Sequence, residues 1–159
     1  MLNLMKKFVI PFLLFFIGLN SVTAQDIFLK NGRFIDRHTG KAFTGIYKEV
    51  DSSNRVTVEN SIKDGLPDGN TFLYYPSGAK KELRTYNKGK KDGVWKTWND
   101  TGVQTAEAGF KNGLKDGNWY VWDDNGVKRY EMFYIQGVKK GTWIIRDEKG
   151  TEISREDFK

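Results

Sequence analysis

KDGVWKTWNDTG, residues 91–102, returns further along the chain as KDGNWYVWDDNG, residues 115–126. Tryptophan occupies the same two places in both copies: Trp95 and Trp98, then Trp119 and Trp122. Self-similarity at a fixed period marks stacked supersecondary units, and a 24-residue ruler extends the pattern along the chain. Gly45, Gly69, Gly93, Gly117 and Gly141 share one column without a gap. Two positions on stand Tyr47, Thr71, Trp95, Trp119 and Trp143. A second glycine column holds Gly78, Gly102, Gly126 and Gly150, with Asn54 in the first unit. Asparagine can replace glycine there because both tolerate positive φ. Gly65, Gly89, Gly113 and Gly137 make a third column, and Ile62, Tyr86, Phe110 and Tyr134 stand near the unit ends. The chain thus divides into units 44–67, 68–91, 92–115 and 116–139, with a truncated fifth at 140–159.

Each unit reads as a β-hairpin. VWKTWND and NWYVWDD are aromatic and β-branched segments of strand length without helix caps. PSG, DTG, DNG and EKG mark tight turns with glycine at the left-handed position. In the return strands, Ala106, Ala108 and Phe110 alternate onto one face, and Tyr130, Met132 and Tyr134 onto the same face one unit later. The predicted fold is all-β: an elongated single-layer antiparallel sheet of tandem hairpins, advancing roughly 10 Å per unit to about 45 Å. A lone hairpin is marginal in water, so each unit must lean on its neighbours. Trp95, Trp119 and Trp143 are therefore expected to form a structural row, with ring contacts within it contributing about 0.5–1.5 kcal/mol per pair.

Trp98 and Trp122 follow Trp95 and Trp119 by three residues, which in a regular strand reverses the face. Either a bulge reunites each pair, or one tryptophan per unit lies on the less protected side. Trp98 and Trp122, with Tyr74 one unit earlier in their column, are the candidate binding residues.

The chain's ends are different. Lys6 and Lys7 precede FVIPFLLFFIGL, an apolar run at positions 8–19, and NSVTA follows. A basic start, a short apolar centre and a small-residue exit describe an export signal over residues 1–24, cut between Ala24 and Gln25. A helix of that length rises only about 18 Å, against roughly 30 Å of hydrocarbon, so a membrane anchor is the weaker reading. The predicted location is periplasmic, cell-surface or secreted. Residues 25–43 contain Asn31-Gly32, a two-residue hairpin signal, and are expected to cap the N-terminal edge. The last five residues carry four charges, which discourages edge-to-edge aggregation.

Composition removes several functions. Loss of residues 1–24 takes Lys6 and Lys7 with it, so the net charge falls from +6 to +4, and no positive run exceeds two. So diffuse a surplus on an exported chain does not suit nucleic acid. With His38 the only histidine, set in the polar turn RHTG, and no cysteine, neither an ordinary zinc site nor a Ser-His-Asp arrangement is expected without help from elsewhere. Asp68, Asp92 and Asp116 each precede glycine and read as the start of Asp-Gly turns. Asp123 and Asp124 diverge as sequence neighbours, which does not suit a hydrolytic pair. No phosphate-cradling glycine motif precedes a helix. Neither an enzyme nor a cofactor is expected.

TGIYKEV (44–50), DGVWKTW (92–98) and DGNWYVW (116–122) resemble the bacterial variant of the MORN repeat, and the resemblance covers residues 44–159. It implies a curved ribbon of antiparallel hairpins serving as a surface for binding or assembly, with a protein or another envelope component as partner. Many bacterial members bear an antitoxin label, against which an export signal argues here. Better-known relatives are linked to phospholipids, so the resemblance also implies a membrane surface as a partner. Three readings follow in order: an interaction scaffold at the envelope, a carbohydrate or peptidoglycan binder stacking sugars on Trp98 and Trp122, and a peripheral membrane binder. Clustering of Lys80, Lys81, Lys88, Lys90 and Lys91 on one face would favour the last.

Overall fold

A computed structural model of the chain describes residues 22–23 and 26–159. Most of the expected export signal, including its cut between Ala24 and Gln25, lies outside the described residues.

After β1 (Val22–Thr23), the strands β2 (Ile27–Lys30) and β3 (Arg33–Asp36) form a small two-stranded sheet. The hairpin units supply β4 (Gly45–Val50) and β5 (Val56–Lys63), then β6 (Leu66–Tyr74) and β7 (Lys80–Asn87). The short β8 (Lys90–Lys91) leads to β9 (Gly93–Trp98) and β10 (Gln104–Lys111). Last come β11 (Leu114–Trp122), β12 (Lys128–Ile135), β13 (Val138–Arg146) and β14 (Glu152–Phe158). With β1, these make one twelve-stranded sheet in which consecutive hairpins lie side by side, without closing into a barrel. Among the described residues, only the β1–β4 pair is parallel, Val22 facing Tyr47.

Two turn chemistries alternate. Between the paired strands of a unit, the turns at Gly78, Gly102, Gly126 and Gly150 put glycine at φ of 81–87°, and Asn54 adopts 61°. Asp51, Asn99, Asp123 and Asp147 open four of these turns, each accepting a backbone amide four residues on at 2.8–3.0 Å. Between units, two successive residues take positive φ: Asp64-Gly65, Lys88-Gly89, Asn112-Gly113 and Gln136-Gly137. That is the two-residue geometry whose twist matches the flanking strands.

The Asp-Gly pairs are not turns. Asp68 and Asp116 lie inside the continuous strands β6 and β11, and Asp92 sits at the break between β8 and β9. The Asp92 and Asp116 carboxylates instead accept the amides of Asn112 and Gln136, 20 residues on, at 3.0 Å. Each ties its own unit to the next turn.

Within residues 25–43, expected to cap the N-terminal edge, β2 and β3 pair in a sheet separate from the large one. They fold over its first unit, where Phe34 donates its amide to the Gly65 carbonyl at 2.9 Å. Ile27, Phe43 and Ile62 are buried there, with Phe34 and Tyr47 packed against them. A single sheet has one apolar face to hide, and this small hairpin covers that face only at the N-terminal end.

Candidate functional site

The two tryptophans of a unit point to opposite faces. Trp95 pairs with Ala108 and Thr97 with Ala106, whereas Trp98 pairs with Gln104. The extra residue, Thr105, belongs to the partner strand, so the tryptophan-bearing strand keeps its alternation and the bulge does not reunite Trp95 with Trp98. The same shift separates Trp119 from Trp122 opposite β12.

On the first face lies a ladder of rings. The tryptophans of one column were expected to touch each other, but return-strand rings stand between them. The order is Tyr86, Trp95, Phe110, Trp119, Tyr134, Trp143, Phe158, with neighbouring centroids 4.9–5.5 Å apart and planes inclined 50–62°. The residue directly opposite both Trp95 and Trp119 is the small Ala108. Phe110 therefore reaches both indoles on the diagonal, a contact open to long side chains. Each of these indoles also spends its N–H. Trp95 donates to the Thr85 carbonyl at 3.0 Å, Trp119 to Gly109 at 2.9 Å and Trp143 to Phe133 at 3.3 Å. Rings with their polar edge satisfied by the backbone act as scaffold.

The second face is built differently. One register row crosses the sheet through Lys48, Glu59, Phe72, Leu83, Lys96, Glu107, Tyr120, Glu131, Ile144 and Arg155. Ion pairs stitch it: Lys48–Glu59 at 2.9 Å, Lys96–Glu107 at 3.1 Å and Lys128–Glu131 at 3.4 Å. Arg146 also pairs with Glu131. Burial would raise the Glu131 carboxyl, but the Arg146 guanidinium and the Lys128 ammonium outweigh it and hold the group below its ordinary value.

All three candidate residues lie on this face, half-buried. Trp122 packs against Tyr120, centroids 5.7 Å apart, with the Lys128 ammonium 4.4 Å over Tyr120 and 5.9 Å over Trp122. Tyr74 stands beside Phe72 at 6.4 Å, with the Lys80 ammonium 5.1 Å over Phe72, so the second unit repeats the arrangement of the fourth. Burial and then the Glu59 carboxylate push the Tyr74 phenol above its ordinary value, with Lys48 offsetting part. A groove of about 410 Å³ runs beside Tyr74, lined also by Arg55, Glu59, Pro76 and Ser77. Trp98 in the third unit has Gln104 opposite, whose amide donates to Glu107 at 3.3 Å. Among the described residues, no hydrogen bond engages the indole N–H of Trp98 or Trp122. That separates them chemically from Trp95, Trp119 and Trp143.

The five lysines considered together in the sequence fall apart in space. Lys80 begins β7, with Lys81 beside it over the Tyr75 ring at 5.6 Å, while Lys88, Lys90 and Lys91 lie past the other end of that eight-residue strand. A lysine column went unnoticed in the sequence: Lys91, Lys115 and Lys139, one per unit at the repeat period, cover the ladder rings. Pro67 holds the equivalent place in the first unit, which obscures the period. His38 sits on an exposed turn, 3.0 Å from Asp26. Among the described residues, no group of three His, Cys, Asp or Glu side chains is disposed to hold a metal ion.

No protein-family model matches the chain, and no curated protein is significantly similar to it.

Proposed function

We propose that this chain is an exported, non-enzymatic repeat scaffold of the MORN type, working at the bacterial envelope and recognising a protein partner through the face that bears Trp98 and Trp122. The observation that carries the reading is the division of labour between indoles. Trp95, Trp119 and Trp143 have their N–H groups bound to backbone carbonyls, and those of Trp98 and Trp122 are uncommitted among the described residues. A half-buried indole with a spare donor, framed by paired charges, has the make-up of a recognition anchor. The twelve-stranded sheet gives such anchors a rigid base and repeats them at a fixed interval. The antitoxin role suggested by the family label remains disfavoured by the export signal.

The experiment is capture from the protein's own envelope fraction, comparing the mature chain with Trp98→Ala and Trp122→Ala. Loss of the same captured protein in both variants, with folding retained, supports the reading. Undiminished capture by both overturns it.

One observation favours a second reading, carbohydrate binding. Trp122 and Tyr120 present neighbouring rings beside the Glu131 carboxylate, and Trp98 lies beside Gln104 and Glu107. Flat rings flanked by acceptors and donors suit sugar stacking. Co-sedimentation with purified peptidoglycan, lost in Trp122→Ala, would select it over a protein partner.

A further inference from the structure

The ladder face carries a second array that the Trp98–Trp122 reading leaves unused. The Lys91 ammonium stands 4.4 Å from the Trp95 ring centroid and 5.0 Å from that of Phe110. Lys115 stands 4.2 Å from Trp119 and 4.7 Å from Tyr134, and Lys139 4.3 Å from Trp143 and 4.9 Å from Phe158. Each ammonium thus bridges two successive rings, and the rings hold it in place. None of the three belongs to an ion pair among the described residues. One such cation per unit, two strands apart, gives a row with a pitch of about 10 Å along the sheet.

The surroundings reinforce the sign. Lys88, in a turn between units, and Lys90, Lys111 and Lys140, in strands within three residues of such turns, lie toward the same long edge. Of the acids near that edge, Asp92 and Asp116 accept the backbone amides of Asn112 and Gln136, and Asp157 accepts the Thr142 hydroxyl. Asp64 lies in the turn between the first two units and Asp68 just past it, before the lysine row begins, and Glu156 stands opposite Trp143 at its far end. The opposite long edge, in the same half of the sheet, carries Asp100, Asp123, Asp124, Asp147 and Glu148 in its turns. Positive charge is therefore concentrated along one border and ordered over the rings.

We propose that the lysine-topped ring row is a binding track for a linear acidic polysaccharide bearing one carboxylate per disaccharide. Such a polymer presents charges at an interval comparable to the unit pitch, so each unit takes one carboxylate on one ammonium. Duplex nucleic acid is a poorer match, because its charges fall about every 1.7 Å of axis. A fluid anionic lipid surface has no fixed pitch and would not distinguish this lysine row from others. The inference does not depend on Trp98 and Trp122 or on where the protein resides.

The test uses hyaluronate, which carries one carboxylate per disaccharide, with the folded mature chain at low ionic strength. The triple variant Lys91→Gln, Lys115→Gln, Lys139→Gln should bind roughly a hundredfold more weakly, since three surface cations are lost together. The matched triple Lys41→Gln, Lys81→Gln, Lys149→Gln makes the same charge change away from the ring row and should keep its affinity. Lys→Arg at 91, 115 and 139 keeps charge and ring contact, and should retain binding even where the glutamine triple is less stable. Duplex DNA and phosphatidylglycerol vesicles should bind more weakly than hyaluronate. Absence of hyaluronate binding, equal loss in both glutamine triples, or equal affinity for DNA or vesicles overturns the proposal.

Discussion

Trp119 donates its indole N–H to the carbonyl of Gly109 at 2.9 Å while its ring leans on Phe110, the very next residue, at 5.2 Å. One side chain thus fixes both the polar edge and the apolar face of the preceding return strand. Trp119→Ala is expected to lose about 3 kcal/mol, the lower end for truncating a large ring, because the ladder is not enclosed on its outer side. Trp119→Phe should lose less, keeping the ring stack and leaving only the Gly109 carbonyl short of a donor. Urea midpoints of the two variants decide this. Equal losses would mean that the hydrogen bond, and not the stack, holds the unit.

Trp122→Ala should cost less than Trp119→Ala. Its ring touches Tyr120 and Lys128 on the second face, without flanking rings from both neighbouring strands. The same denaturation series, run beside the capture experiment, should show a small stability change with a large loss of binding. A stability loss equal to that of Trp119→Ala would assign Trp122 to the scaffold.

Gly109 and Gly102 are predicted to resist substitution for different reasons. A Cβ on Gly109 would fall 2.1 Å from the Asp116 carbonyl oxygen, a backbone atom that cannot swing away. Gly102 has open space around its Cβ position but a φ of 87°. Gly102→Ala should cost about 1 kcal/mol through backbone strain alone, and Gly102→Val somewhat more. Gly109→Ala should cost more than about 2 kcal/mol, because β10 and β11 must separate. Thermal melts that rank them the other way would contradict the close approach of the two strands.

Acid should weaken the second face through Glu131. Its folded-state value lies below the ordinary 4.5. A depressed carboxylate contributes stability that is fully present above the unfolded value and is lost as pH falls through the folded one. The protein should therefore lose stability below about pH 4.5. Glu131→Gln should be less stable at neutral pH and show a shallower decline in urea midpoint between neutrality and acid. Parallel declines in both proteins would remove Glu131 from the acid response.

The hairpin architecture was legible because glycine columns and alternation are local signals, and repetition multiplied them. The opposite orientations of Trp95 and Trp98 were legible as one of two outcomes. Which outcome held depended on the strand that took the bulge, and no residue type marks Thr105 for that role. The Asp-Gly dipeptides misled because Asp92 and Asp116 act across 20 residues, on the amides of the next turn. The ring order was half visible: both aromatic columns stood in the sequence, but their interleaving depends on cross-strand register. The ammonium–ring contacts of Lys91, Lys115 and Lys139 were masked by Pro67 and by the habit of reading lysine as solvated surface.

The ring row stops short of the N-terminal units. Between Phe34–Tyr47 and Tyr86 the positions fall to Ile62 and Thr71, and Thr71, only 6% exposed, donates its hydroxyl to Asn60 at 2.6 Å. In a linear array each neighbour interface sets how far unfolding propagates, and a weak interface becomes a boundary between cooperative blocks. The backbone ladder crosses this point unbroken, but the side-chain coupling does not. Amide hydrogen exchange should therefore show β9 to β14 opening as one block and β4 to β6 as another, with β7 as the hinge between them. A chain that looks like one continuous ribbon would then fail in two stages.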